Sequence, residues 1–378
     1  MMTNYKFLLY ALLLTGIMSV SCIREEAPNA EADITSCTLP GNVLVQDTID
    51  VNVSYDESLD AYPIYIEVKK GTDCSQLAPV FTLTPGATIK PESGSVQDFT
   101  SPVRYTVTSE DGQWQRTYSI SIEEEKVKEI PTTFHFETTR MENSYYVFYE
   151  TSGEEELTWA SGNAGFRLAV SNAKASEYPT TLEESGFSGK CAKLVTRTTG
   201  SLGAMVGMPI AAGNLFIGQF NLADALSNPL KATKLGTTFY HKPLKLKGYY
   251  KYTPGEQFYT DGAYTNQVDK FDIYAIFYEN KDEDGQSVML DGTLPGQNYV
   301  HSNLVALARF NGTQVHGAWQ AFELTFDYDR YQKTVDLDRL NAGDYNLSIV
   351  ISSSKDGATF EGAPGSTLWI DEVSIIYE

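Results

Sequence analysis

Aromatic side chains set among polar and glycine residues are the groups of this chain best suited to chemistry. Sugar recognition needs flat π-faces that stack on the ring, with planar polar groups for the hydroxyls. Trp159 lies in Leu157-Thr158-Trp159-Ala160-Ser161-Gly162-Asn163, and Tyr178 precedes Pro179. Tyr249 opens the run Tyr249-Tyr250-Lys251-Tyr252, Tyr259 and Tyr264 fall in a polar segment, and Trp319 lies in His316-Gly317-Ala318-Trp319-Gln320. In a strand Tyr249 points away from Tyr250 and Tyr252, so one set faces a core and the other is open to a ligand. Each ring is also a candidate for ordinary core. Loop placement favours Trp159 and Tyr259 as ligand platforms.

Two carboxylates raise a second kind of chemistry. Asp371 interrupts the apolar run Leu368-Trp369-Ile370-Asp371-Glu372-Val373, and Glu137 ends Phe134-His135-Phe136-Glu137. A bulge at Asp371-Glu372 would reconcile the two apolar phases of the last strand. A carboxylate near a core needs a partner. A structural calcium shared by Glu137 and Asp371 suits hard oxygen ligands; hydrogen bonding to backbone N–H groups or to a basic residue is the alternative. Asn280 to Asp291 mimics an EF-hand loop, but strands flank it and its last residue is Asp, so a polar hairpin tip explains it better. Four His show no metal spacing, and neither GxSxG nor a P-loop occurs. A glycosidase needs two carboxylates flanking a cleft, which abundant acidic residues neither show nor exclude.

The cysteines carry different expectations. Lys6 precedes an apolar run, Phe7 to Val20, that ends in Ser19-Val20-Ser21-Cys22. This reads as a signal peptide over 1–21, too short to span a bilayer. Its end resembles a bacterial lipobox, which makes Cys22 the lipidation site; an ordinary secretory signal is the alternative. Residues 22–32 read as an acidic tether, and Glu25-Glu26 after the cysteine resembles the surface-export signal of Bacteroidetes lipoproteins. Cys37 and Cys74 fall in one expected domain, where a disulfide is chemically open in an oxidising envelope and not fixed by the sequence. Cys191 reads as a buried small hydrophobe.

The elements that must position these groups are strands. The chain has 378 residues, with 24 Tyr and 18 Phe, which favours β-structure. Its net charge of −21 and lack of a basic cluster make a nucleic-acid partner improbable. No other stretch reaches ~18 apolar residues, so the expected membrane attachment is by lipid alone. Alternation at Ile49–Tyr55, Ile64–Val68, Val103–Val107 and Tyr118–Ile122, with an Asp111-Gly112 turn, predicts a small immunoglobulin-like β-sandwich over 33–124. The charge run from Glu123 to Glu129 marks a linker at 125–132. Residues 133–378 predict a larger jelly-roll-like β-sandwich. Within it, Ile273–Tyr278 is dense on both faces, as in a central strand, while Phe322–Tyr328 and Tyr345–Ile351 alternate.

Two resemblances sharpen this all-β reading. Pro91-Glu92-Ser93-Gly94, Asp98-Phe99-Thr100-Ser101-Pro102-Val103 and Tyr105 to Gly112 resemble the immunoglobulin-like modules of bacterial surface lipoproteins, which implies a spacer. Gly213 to Phe220, Lys242 to Gly255, Asp272 to Tyr278 and Phe360 to Val373 resemble the putative carbohydrate metabolism domain of Bacteroidetes lipoproteins. That family has no agreed catalytic residues to transfer. The resemblance and the compartment together imply a lipid-anchored outer-membrane protein that binds a glycan, with no required cofactor. A surface protein that adheres to a protein partner and a glycoside-acting enzyme are the other two readings.

Overall fold

The computed structural model describes residues 27–225, 227–311 and 317–378. Cys22, the signal peptide and His316 therefore lie outside the described residues. The architecture is almost wholly β, and the chain divides into two compact units at Glu125/Lys126.

In the first unit, four strands run in the order Tyr62–Val68, Gln115–Glu124, Val103–Thr108, Thr88–Lys90. The first two are parallel and the rest antiparallel. A two-stranded sheet, Ile34–Thr38 with Val80–Leu83, packs on them through a core that includes Ile64, Tyr105, Val107 and Ile120. The period-2 pattern is honoured: Ile64, Ile66 and Val68 are buried and Tyr65 and Glu67 are exposed. Asp111 organises the loop between Val103–Thr108 and Gln115–Glu124 by accepting from Gln113 N and Ser109 Oγ.

One strand expectation fails here, and the cysteines take the unbonded alternative. Ile49, Val51 and Val53 pack against the core but join no ladder, while Val43 and Val45 bond at the Glu67–Lys69 end of the edge strand. Cys37 and Cys74 are both free. Cys37 sits in the core, where burial pushes its thiol pKa up to about 12, and Cys74 begins a short 3-10 turn, half-buried at the core margin. The pair serves as packing rather than as a cross-link.

The second unit is a two-sheet sandwich. Its front sheet runs Thr180–Glu183, Cys191–Val195, Thr367–Tyr377, Pro243–Thr253, Gln320–Thr325, all antiparallel. The first strand, Thr133–Phe134, also pairs with Thr367–Tyr377. The back sheet runs Asn214–Phe216, Tyr345–Ser352, Asp272–Glu279, Leu304–Arg309. Leu246, Tyr250, Tyr252, Leu368, Ile370 and Val373 from the front meet Ile273, Ala275, Phe277, Leu347 and Ile349 from the back. The stretch expected as linker is partly built into this unit: Ile130 packs on its core and Thr132 accepts from Ile375 N.

The last strand contains the bulge its sequence calls for. Lys247 pairs with Ser374 and Tyr249 with Asp371, so one residue opposes two, and Glu372 adopts φ +48°. Leu368 and Ile370 before the bulge, and Val373 and Ile375 after it, thereby all point into the core. Asp371 is left on the outer side.

Candidate functional site

The outer face of the front sheet carries a band of rings and lysines. Strand alternation puts Tyr249 and Lys251 outward while Tyr250 and Tyr252 are buried. Across the strands Lys193 pairs with Trp369, and Trp369 with Lys251. Lys251 Nζ lies 4.2 Å from the Trp369 ring centroid and 5.6 Å from that of Trp319. Lys193 Nζ is 5.6 Å from Trp369 and 3.0 Å from Glu183 Oε2. Such cation–π contacts hold the lysines in place while their charge stays near solvent.

Phe187 completes the band. It stacks on Tyr249 at 3.7 Å between centroids and 11° between planes, and stands edge-on to Trp319 at 6.0 Å. It is 47% exposed, although it is a large apolar ring with no burial requirement met. Its loop, Gly186 to Lys190, is fixed from below. Asp371 Oδ2 accepts Ser188 N at 2.9 Å, Glu137 Oε1 accepts Lys190 N at 2.9 Å, and Gly186 N donates to Gly189 O at 2.7 Å. A Cβ at Gly186 would strike Asp371 Oδ2 at 2.7 Å, and one at Gly189 would overlap Glu137 Oε1; Gly189 also holds φ +63°. Only glycine lets both carboxylates approach this closely. Burial pushes the Asp371 carboxyl up to about 6 against the pull of the Ser188 and Glu372 N–H groups.

These contacts decide the employment of Glu137 and Asp371. Asp371 accepts the Ser188 and Glu372 N–H groups, and Glu137 accepts that of Lys190. Among the described residues no three His, Cys, Asp or Glu gather as a metal-binding group. Both carboxylates make the backbone hydrogen bonds that are the alternative to calcium. Asp282, in the EF-hand-like stretch, accepts from Asp284 N and Gln286 N, as a turn residue does.

The structure sorts the aromatic candidates into three groups. Tyr249 and Trp319 come together on the front face. Tyr259 and Tyr264 form their own edge-on pair at 5.3 Å on the hairpin Phe258–Thr260/Ala263–Thr265, with Tyr264 exposed. Trp159 and Tyr178 are corrected to core. Trp159 is 1% exposed and packs edge-on to Phe134 at 5.0 Å and near Phe136 at 5.3 Å. Tyr178 is buried against Tyr145 and Phe166, and its hydroxyl bonds Ser144 Oγ at 2.6 Å. Their polar flanks reflect nearby turns, not exposure of the rings.

Phe187, Trp369, Lys193 and Lys251 escaped the reading of the sequence. Gly186-Phe187-Ser188-Gly189 held the one usable signal, a lone ring between glycines. Trp369 faces outward because the bulge at Glu372–Val373 lets Leu368 and Ile370 take the inward phase. The carboxylates of this face are engaged: Glu183 with Lys193, and Glu323 with Lys245 and Lys247. The arrangement can stack a flat ring face and meet polar substituents with ammonium groups.

Comparison with known proteins places the chain. Residues 135–376 match the "Putative carbohydrate metabolism domain", and residues 45–122 match "SGBP, N-terminal". No curated protein matches. A crystal structure from Bacteroides thetaiotaomicron, described as a putative glycoside hydrolase, is 48% identical with a TM-score of 0.62. The alignment covers 94% of this chain and 99% of that one. A second, from Bacteroides vulgatus and described in the same words, is 51% identical with a TM-score of 0.63, over 67% of this chain and 100% of that one. The match over most of the second unit and the near-complete alignment with a close relative agree: this chain belongs to the putative carbohydrate metabolism domain family.

Proposed function

We propose that the protein is a lipid-anchored outer-membrane lipoprotein, exposed at the cell surface, that binds a glycan on the front face of its second unit. The observation that carries the reading is the Phe187–Tyr249–Trp319 group with Lys251 and Lys193 beside it. The exposed Phe187 ring and the half-buried Tyr249 and Trp319 rings, held by stacking and cation–π contacts, form a preorganised surface for a sugar face, and ammonium groups can donate to its oxygens. Membership in a carbohydrate-related family supports the same class of partner. In this reading the first unit is a spacer, Cys22 carries the lipid, and no cofactor is needed.

The test is saturable binding of the chain from Cys22 onward to a broad polysaccharide panel, with Phe187→Ala and Trp319→Ala beside it. Binding that both variants weaken at least tenfold supports the reading. Binding that neither changes moves the site elsewhere, with the Tyr259–Tyr264 hairpin the next surface to vary. A folded protein silent across the panel sinks it and leaves adhesion to a protein partner.

The description of two relatives as putative glycoside hydrolases favours a second reading, cleavage of the bound glycan. New reducing ends from a bound polysaccharide would establish that activity. Binding without product would leave a binding module.

A further inference from the structure

The outer face of the back sheet is roofed by the helices Asn163–Ala169, Gly200–Met205, Leu222–Ala225 and Pro229–Ala232 together with a small sheet, Gly218–Phe220, Thr233–Leu235 and Leu290–Asp291. Roof and sheet do not close on one another. Between them lies a cavity of about 470 Å³. That is the size of a small-molecule site rather than of a packing defect.

Its walls are apolar. Phe166, Leu202, Val206 and Phe220 line it from the roof, and Phe216 and Val350 from the sheet. Leu202 and Val206 are each about half exposed, so the wall continues to the surface. Over most of this wall a sugar would leave hydroxyls without partners, which is costly. This cavity suits a different ligand from the front face.

Charge defines one end. Asp272 is the lone carboxylate of the lining. It is taken up by Arg309, at 2.8 and 3.3 Å, and by the Tyr299 hydroxyl. Lys355 also lines the cavity, is solvent-exposed, and forms no ion pair among the described residues. With Asp272 balanced by Arg309, Lys355 leaves a net positive charge at the mouth of an apolar chamber, in a chain of net charge −21.

We infer that this cavity binds a single-chain anionic amphiphile, its alkyl chain among Phe166, Leu202, Phe216, Phe220 and Val350 and its carboxylate at Lys355. The chain supplies apolar area to a wall that otherwise faces water. The head group finds Lys355, the one cationic side chain among the described lining residues, whose charge also acts on Asp272. The site lies on the sheet opposite the aromatic band and owes nothing to it.

The experiment is calorimetric titration of the chain from Cys22 onward with alkyl carboxylates of eight to fourteen carbons, below their micellar concentrations. Alkyl trimethylammonium salts and alkyl maltosides of equal length serve as controls. The expected result is one saturable site per chain. Affinity should rise roughly tenfold for every two added methylenes until the cavity is full, then level off. Lys355→Glu should weaken carboxylate binding at least tenfold and leave the maltoside unchanged. Leu202→Glu alters a half-exposed residue, so the fold persists, and should abolish binding of every carboxylate. Absence of saturable binding overturns the inference. So does equal binding of carboxylate and ammonium ligands unaffected by Lys355→Glu, or affinity that climbs without a plateau, as in adsorption to a surface. A glycan titration of the Leu202→Glu protein separates this outcome from failure of the front-face reading.

Discussion

The two outer faces of the second unit are made of neighbouring antiparallel strands and met opposite fates. The front strand Pro243–Thr253 alternates, with Leu246, Tyr250 and Tyr252 inward and Lys245, Lys247, Tyr249 and Lys251 outward. Its outer face stays open. The back strand Asp272–Glu279 is apolar on both sides, with Ile273, Ala275 and Phe277 toward the central core and Tyr274, Ile276 and Tyr278 toward a second one. That outer face has to be covered, and the helices and small sheet inserted between the strands cover it. Alternation along one strand thus decides whether a face is available to a large polymer or is roofed over. Where the roof fits imperfectly, a chamber for a small apolar ligand remains.

The two faces should differ most in their effect on stability. Ile276→Ala, on the covered face, should cost about 2–5 kcal/mol, and Trp159→Ala in the central core about 3–5 kcal/mol. Phe187→Ala on the open face should cost about 1 kcal/mol or less. Denaturant midpoints with unchanged slopes would check all three; a large loss at Phe187 would mean that the ring is structural rather than presented to a ligand. On binding the order reverses. Trp319→Ala and Phe187→Ala should each weaken glycan affinity at least tenfold, roughly 1.4 kcal/mol, while Leu202→Glu should leave it unaltered.

A smaller effect concerns the loop that carries Phe187. The folded state holds a proton on Asp371 up to about pH 6, whereas the unfolded chain releases it near ~4. Between those values the folded protein binds more protons, so this group's stabilisation is fully present at acid pH and is lost as pH rises through 6. Melting temperatures of the wild type and Asp371→Asn, compared from pH 4 to 8, should diverge within that window and run parallel above it. Parallel curves throughout would place the Asp371 charge outside the folding equilibrium.

The smallest expected effects are absences of change. Dithiothreitol should not shift the unfolding midpoint, because Cys37 and Cys74 share no bond. Chelation with EDTA should leave both the melting temperature and glycan binding where they were. A fall of several degrees on chelation would show that Glu137 and Asp371 hold a cation in solution after all.

Legible in the sequence alone are the strand content, the division into two units, the double-sided burial of Ile273–Tyr278 and the opposite facing of Tyr249 and Tyr250. Each follows from local periodicity, which a single strand expresses without knowledge of its neighbours. Tertiary structure alone decided the rest. Trp159 and Tyr178 lie in glycine-bearing and proline-bearing contexts that suit a loop, yet Phe134, Phe136, Tyr145 and Phe166 close over them from elsewhere in the chain. Cys37 and Cys74 could be joined on paper, but their elements leave both thiols free. The site itself draws on Phe187, Tyr249, Trp319 and Trp369, up to 182 positions apart, and it exists because a one-residue bulge turns Asp371 outward to hold a loop. Periodicity sets which way a side chain points, and only long-range packing sets what it meets.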